Sequence, residues 1–506
     1  MTTPVAKRAE GLGSRSAVMF AAFAVDRALG FLLIVLITRW WSPTEVGFWT
    51  QAVTFTGALA TIASMGLYQA HIRFAEESVN PRVRHSLQLT ILSATTAALL
   101  LAALVAAAIP GGFARSVFGV ATETRLLAAV FALALSELWT EFVTVQLRAE
   151  VDARGVAMVM VGKAILRVAL VGTLALTVGG AADGSVGAGE ASATSSADLA
   201  RVVAALAFTQ WLATGAIMVA RLGAAHWLAA GFAPGRALFA RALRMAIPMI
   251  PAALAAQGFV TTERFVLART SPEVIAHFNI GQQFASNAMM AYVILGSMFY
   301  PMLVRVWREG KAAAAAPVVS GALLTYAVVS LPALLVLPLV SRELVPVLTT
   351  RFYEVSASSF LLLMIGAAGL GVHQLAGYVF YVTERTWELL ALLSLGLVLK
   401  LVLALALVSR FGERGAVYAW GIAGAVLAIA TIIRVRQFVA FHLPWARMAR
   451  VFGSALLAAS VVAAVRLSVA DPSRTLVLGS AALGLAVYAV LMRNELRQAA
   501  HVGAAA

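Results

Sequence analysis

Residues 312–341 read AAAAAPVVSGALLTYAVVSLPALLVLPLVS, a run with no charged side chain. A transmembrane helix needs about 20 apolar residues in succession, so this stretch is long enough to cross a bilayer. Residues 86–114 and 355–383 are equally free of Asp, Glu, Lys and Arg. All three are continuously apolar rather than alternating, which points to helices and away from a transmembrane barrel. The rest of the chain agrees. Of its 506 residues 61% are apolar and only 12% charged, where a soluble domain carries about 25% charged residues. Mean hydropathy is +0.90. These values exclude a soluble enzyme, a disordered chain and a nucleic-acid binder, and leave no room for a large soluble domain.

Working outward from the three runs places spans at 16–38, 46–70, 87–109, 121–146, 156–179, 201–220, 242–267, 275–303, 314–340, 356–382, 389–409, 415–433, 451–469 and 475–492. The expected fold is an all-α polytopic membrane protein with fourteen transmembrane helices. Lys and Arg in alternate loops set the orientation. With the N-terminus inside, 22 fall on the cytoplasmic side, 11 on the other, and 5 within spans. The net charge of +15 is therefore charge that orients helices, not a nucleic-acid footprint. Both termini are expected in the cytoplasm. The basic N-terminal segment (Lys7, Arg8, Arg15) runs into the first span with no signal-peptidase pattern, so that span reads as retained. There is no cysteine, hence no disulfide, thiolate metal site or cysteine nucleophile. The connection 180–200, GAADGSVGAGEASATSSADLA, is Gly-, Ala- and Ser-rich and acidic. It reads as a flexible outer loop.

A short repeat joins the two halves. Ser42-Pro43-Thr44-Glu45-Val46 after the first span is echoed by Ser271-Pro272-Glu273-Val274 after the seventh, 229 residues on. Six helices lie between the copies, an even number, so both halves face the same way. The expected organisation is an N-terminal lobe at 14–221, a second lobe at 237–437 and two added helices at 449–493. Duplicated halves around a midplane site are a transporter architecture.

At Trp40-Trp41-Ser42-Pro43 with Gly47, Ser64-Met65-Gly66-Leu67 and Arg73, Thr262-Glu263-Arg264-Phe265, and Leu405 to Ala419 with Phe411-Gly412 and Gly415-Ala416, the chain resembles the Wzx-type polysaccharide flippases, which handle O-antigen and exopolysaccharide repeat units. They belong to the multidrug/oligosaccharidyl-lipid/polysaccharide exporter superfamily. The resemblance covers most of residues 14–435. It departs from the family where Glu263 replaces the usual aspartate and where loop 180–200 is long. It implies two six-helix lobes forming a V-shaped cavity, and an activity that turns undecaprenyl-diphosphate-linked oligosaccharide across the bacterial inner membrane. The expected partners are that lipid-linked oligosaccharide, membrane lipid, and a polysaccharide polymerase and chain-length regulator. The last two helices resemble those with which the lipid II flippase forms a groove for a prenyl tail. A lipid II flippase and a multidrug exporter are the alternatives within the superfamily. A membrane polysaccharide polymerase or ligase is the alternative from another class.

Soluble-type catalytic motifs are missing. No phosphate loop ends in Gly-Lys-Ser/Thr, and neither His-Glu-x-x-His nor Gly-x-Ser-x-Gly occurs. The expectation is a carrier rather than an enzyme, with no cofactor beyond a coupling ion, H+ or Na+. Candidate functional residues are the ions within spans, because an ionisable group in hydrocarbon costs several kcal/mol unless it meets water or a partner. They are Asp26, Arg27, Glu137, Glu141, Lys163, Arg167, Glu263, Arg264 and Lys400, with His373 beside them. Glu137 and Glu141 share a face of the fourth span, as Lys163 and Arg167 do of the fifth. Folding these spans about the turn near residue 152 sets Glu141 against Lys163 and Glu137 against Arg167. Arg27 sits at mid-depth, where its planar fork suits a phosphate. Glu263 and Arg264, near the outer end of the seventh span, either snorkel or face inward. Lys400 is central in the eleventh span. Pro248 and Pro251 are expected to bend the seventh.

The topology has a direct test. A reporter active only outside the cytoplasm should be active when fused at residue 190 and silent at residue 230; activity inside at 190 would overturn the orientation.

Overall fold

The computed structural model describes residues 4–64, 67–68, 80–118, 124–149, 152–179, 196–221, 229–232, 236–246, 249–469 and 472–496. Met65, Gly66, Arg73, Pro248 and residues 180–195 of the connection lie outside these residues, and 196–200, expected as loop, are already helix. The fold is all-helical, 92% helix. The helices are α1 Pro4–Trp40, α2 Pro43–Ser64, α3 Pro81–Ala108, α4 Pro110–Phe118, α5 Thr124–Ala149, α6 Ala153–Gly179, α7 Ser196–Arg221, α8 Arg236–Ala246, α9 Met249–Leu267, α10 Pro272–Ala288, α11 Ala291–Leu348, α12 Ala357–Val382, α13 Thr386–Phe411, α14 Glu413–Arg436, α15 Trp445–Ser468 and α16 Arg474–Leu491. The long α11 is two helical limbs, broken where Gly310 and Lys311 leave helical geometry and Lys311 takes a φ of 50°.

Eleven of the described helices are long and apolar enough to cross a membrane, making this a multi-pass membrane protein. Fourteen spans are not reached on that standard. Those that fall short are the expected second, seventh and eighth, and their composition explains why. On α2 the buried side includes Thr50, Gln51, Thr54 and Thr56. The seventh carries Glu263 and Arg264 on α9. The eighth begins with the short α10, which holds Asn279 and Gln282. These helices give up apolarity to place polar groups inside the protein.

Helix starts follow the sequence. Ser42 precedes Pro43 at the first turn of α2; its hydroxyl accepts from the Glu45 amide at 3.4 Å while the Glu45 carboxylate accepts from the Ser42 amide at 2.7 Å. This is a capping box, with proline where no donor is needed. Asn80 caps α3 ahead of Pro81 in the same way. Ser356 caps α12 and Ser473 caps α16. Gly412 turns the chain between α13 and α14 with a φ of 57°.

The chain divides into two compact units. Unit 1 comprises Met1–Thr261 with Ala268–Ala276, and unit 2 comprises Thr262–Leu267 with His277–Ala506. The core of unit 1 is built on Leu87, Ile91, Leu138, Phe142, Val143 and Val159. Within it α5 packs mainly on α7, and α6 mainly on α1. In unit 2, α12 and α14 approach closely. A Cβ on Gly424 would lie 2.5 Å from the Gly366 carbonyl oxygen, and one on Gly369 would lie 2.2 Å from that of Gly424. Lipid supplies no hydrophobic drive between helices, so such small-residue contacts hold spans together. Trp420 is fixed by this approach and donates from Nε1 to the Leu363 carbonyl at 2.9 Å. The last two helices pack on the second limb of α11 through Val328, Val336, Val340, Val451, Ala455 and Val477. Tyr488 donates to the Val328 carbonyl at 2.6 Å, and Arg466 meets Glu343 at 2.6 Å.

The two Ser-Pro repeats meet inside unit 1. The Thr44 hydroxyl donates to Glu273, and a Cβ on Gly47 would lie 2.0 Å from the Pro272 carbonyl oxygen. Only glycine at 47 allows the second Ser-Pro turn to lie directly on α2. Burial raises the Glu273 pKa, but hydrogen bonds from Thr44, from its own backbone amide and from Ser271 outweigh it and hold the carboxyl below its ordinary range. The natural absence of cysteine makes this contact easy to probe. Thr44→Cys with Glu273→Cys should cross-link in membranes under mild oxidant, whereas either single variant should not. Failure of the pair to cross-link would show that the repeats are apart in the native protein.

Candidate functional site

The in-span charges form two clusters and one exposed site. In unit 1, Arg167 on α6 donates from Nη2 to the Glu137 carboxylate on α5 at 3.2 Å. Gln210 on α7 donates to the same Oε2 at 2.6 Å and accepts from Ser136 at 2.5 Å. One carboxylate thus ties three helices. Lys163 lies within electrostatic reach of Glu137, but no ion pair joins it to Glu141. The two-rung ladder expected from the sequence is therefore a single rung. Matching the rungs by depth assumed that α5 and α6 lie along one another, whereas each packs mainly on a different helix and Gln210 of α7 reaches the Glu137 carboxylate.

In unit 2, Glu263 and Lys400 are both fully buried, with Nζ 2.7 Å from Oε2. The Lys400 ammonium also stands 4.1 Å from the centroid of the Trp420 ring, a cation–π contact. The other carboxylate oxygen, Oε1, meets no donor among the described residues. Beside it the Arg264 guanidinium donates to the Gln282 side-chain oxygen at 2.9 Å. Glu263 and Arg264 face inward rather than snorkelling. His373 is buried, with Nδ1 2.7 Å from the Thr431 hydroxyl, which itself donates to the Leu427 carbonyl. Thr431 must then accept, so Nδ1 carries the proton. This histidine is a satisfied interior group and stands apart from the Glu263–Lys400 pair.

Asp26 and Arg27 are different. On α1, Asp26 is half-buried and Arg27 exposed. The Arg27 guanidinium lies 5.1 Å from the Phe23 ring centroid and forms no ion pair among the described residues. Adjacent helical positions point about 100° apart, which keeps Asp26 from neutralising it.

The description "Polysaccharide biosynthesis protein" matches residues 13–307, more than half of the chain. The chain belongs to the polysaccharide biosynthesis protein family. No curated protein matches it. Among solved structures, this family member is similar to the lipid II flippase MurJ in an inward closed conformation. That likeness has a TM-score of 0.70 and 12% identity, and covers 95% of this chain and 99% of the other. An inward-facing multidrug resistance MATE family transporter of the MOP superfamily gives a TM-score of 0.60 at 14% identity, covering 83% and 97%. The Vibrio cholerae MATE transporter VcmN in its bent form gives 0.54 at 14% identity, covering 85% and 98%. The fold is that of the MOP-superfamily transporters.

For this family member the sequence reading missed two partners. Gln210 and Gln282 are the neutral groups that complete the two charge clusters, and a lone amide within a helix carries no charge to draw notice. It also did not join Glu263 to Lys400, because nothing local aligns α9 with α13.

The buried pair has a thermodynamic signature. Removing one partner of a buried ion pair costs about 3–5 kcal/mol, because the other is stranded in low dielectric. Glu263→Gln and Lys400→Met should each lower the thermal unfolding midpoint in detergent. The double variant should recover most of the loss. Additive losses in the double variant would show that the two groups are not coupled.

Proposed function

We propose that this chain is a flippase that carries undecaprenyl-diphosphate-linked oligosaccharide across the bacterial inner membrane for surface polysaccharide assembly. The observation that carries the reading is Arg27, an exposed guanidinium within an apolar helix that no carboxylate among the described residues neutralises. The other charge-bearing helices supply internal partners, Glu137 to Arg167 and Glu263 to Lys400. A diphosphate brings at least two negative charges, and holding it away from water requires cationic donors. Arg27 offers two parallel donors; Phe23 packs along it and leaves the fork free to turn toward a ligand. Asp26, on the neighbouring face, would orient donors around the phosphates or take up a proton on the return stroke.

Membership in a polysaccharide biosynthesis family supports a saccharide-bearing substrate. No phosphate-binding loop occurs in the sequence, so transport would draw on an H+ or Na+ gradient or on the membrane potential. Glu263, with Oε1 facing no donor among the described residues, is the group best suited to take up such an ion. A polymerase and a chain-length regulator would receive the product on the outer side.

A lipid II flippase is the second reading. The similarity to MurJ covers 95% of the chain, against 83–85% for the two MATE structures above. Both substrates are prenyl diphosphates carrying sugars, so the Arg27 argument applies to each. Complementation separates them: rescue of surface polysaccharide in a strain lacking its oligosaccharide flippase supports the first reading, and rescue of cell-wall growth in a strain depleted of its lipid II flippase supports the second.

In whichever strain is rescued, Arg27→Ala should reduce transport by about tenfold or more, the loss expected when charge-assisted hydrogen bonds worth roughly 1.5–3 kcal/mol are removed. Arg27→Lys keeps the charge without the fork and should fall between. Protein level in the membrane is measured in parallel. Full transport by well-expressed Arg27→Ala would remove Arg27 from the substrate path.

A further inference from the structure

On α12, Gln374, Tyr378 and Tyr381 stand at i, i+4 and i+7, so they share one face of the helix. Across from them, Tyr300 on the first limb of α11 lies against Tyr378, with ring centroids 5.0 Å apart and planes inclined by 32°. Tyr381 is 6.2 Å from both rings, edge-on to Tyr300 and tilted to Tyr378. Phe299 braces Tyr378 from behind at 6.1 Å. The Tyr378 hydroxyl lies over Gly296, so α11 and α12 are close at this level. The cluster belongs wholly to unit 2. It lies at the end that bears Arg305, Lys311 and Arg385, which the charge count places in the cytoplasm.

Two features set this cluster apart from core packing. Tyr300 is 38% exposed and Tyr381 44% exposed, and Gln374 is exposed as well. Among the described residues, neither the hydroxyls of Tyr300, Tyr378 and Tyr381 nor the Gln374 amide has a hydrogen-bond partner in the protein. Gln374 lies within the span Ala357–Val382, two turns before its end. A bare primary amide facing hydrocarbon at that depth would cost several kcal/mol. This face of α12 is therefore wetted. An interfacial aromatic belt would explain the tyrosines but would not set an amide in line with them.

A wet face that combines aromatic rings with hydroxyls and an amide that meet no partner among the described residues has a specific chemistry. One side of a pyranose ring is lined by C–H groups, which pack on an aromatic face. Its rim carries hydroxyls that both donate and accept. Tyrosine supplies the ring and a hydroxyl; the glutamine amide supplies two donors and an acceptor. The tyrosines are uncharged, so the face suits a neutral sugar rather than a phosphate.

We propose that Tyr300, Tyr378, Tyr381 and Gln374 form a saccharide platform that takes a hexopyranose ring of the substrate as it enters from the cytoplasmic side. The inference rests on the flippase reading above, to which it adds the site that recognises the sugar.

The test uses the full chain in nanodiscs and three probes: undecaprenyl-diphospho-N-acetylglucosamine, undecaprenyl diphosphate without sugar, and soluble N,N′-diacetylchitobiose. Tyr378→Ala with Tyr381→Ala should weaken binding of the sugar-bearing lipid by about tenfold and leave the sugar-free lipid unchanged. Gln374→Ala, which leaves the ring packing intact, should weaken the sugar-bearing lipid less and in the same selective way. Equal losses for the two lipids, or no loss for the sugar-bearing one, would overturn the platform. A wild-type chain that binds neither lipid, yet binds the disaccharide and loses it in the double tyrosine variant, would retain the platform and remove the lipid-linked reading. Binding of none of the three probes would overturn both.

Discussion

Charge is costly in hydrocarbon, and the helices of this chain are arranged around that cost. Glu137 is half-exposed yet draws donors from α6 and α7. Glu263 and Lys400 are fully buried, and their closeness at 2.7 Å offsets a desolvation penalty of several kcal/mol per ion. Such a pair contributes little net stability over an apolar replacement. What it fixes is placement: Lys400 can sit at the centre of α13 only if α9 presents Glu263 at the same level and α14 presents the Trp420 ring. That ring is in turn located by the glycine contact between α12 and α14. Packing and electrostatics in unit 2 are thus one constraint, since the small residues set the helix spacing at which the ions can meet.

Much of this was legible in the sequence because hydrocarbon makes spans conspicuous. Where they are described, the apolar runs are helix, and the two Ser-Pro turns coincide with helix starts. The number of spans was less secure for a physical reason. The second, seventh and eighth segments carry polar groups, and the same groups weaken their apolar signal. The seventh shows it most plainly, with Glu263–Arg264 near the end of α9.

Site geometry was legible only in part. Glu137 and Arg167 were matched by counting residues from the turn, and they do meet. The same count matched Glu141 with Lys163, which do not pair, because depth in a hairpin says nothing of which helix fills the space between its arms. Glu263 and Lys400 are 137 positions apart, and no periodicity relates them. The tyrosine face went unseen for another reason. In a span, Tyr378 and Tyr381 look like ordinary apolar filling, and only their exposure beside Gln374 distinguishes them.

Both units pair a carboxylate internally, Glu137 with Arg167 in unit 1 and Glu263 with Lys400 in unit 2, and they differ in what they leave exposed. Unit 2 neutralises its buried carboxylate internally, and its exposed aromatic face is uncharged. Unit 1 leaves Arg27 exposed on α1 without an ionic partner among the described residues. A prenyl-linked saccharide likewise separates its charge from its sugar: the diphosphate demands a cation, whereas the pyranose rings demand flat apolar surface and neutral hydrogen-bonding groups. A carrier that met both with charged side chains would hold the phosphate well and desolvate extra ions against neutral hydroxyls at a loss. On the function proposed above, an exposed cation on α1 and a separate uncharged aromatic face on α11 and α12 would avoid that loss.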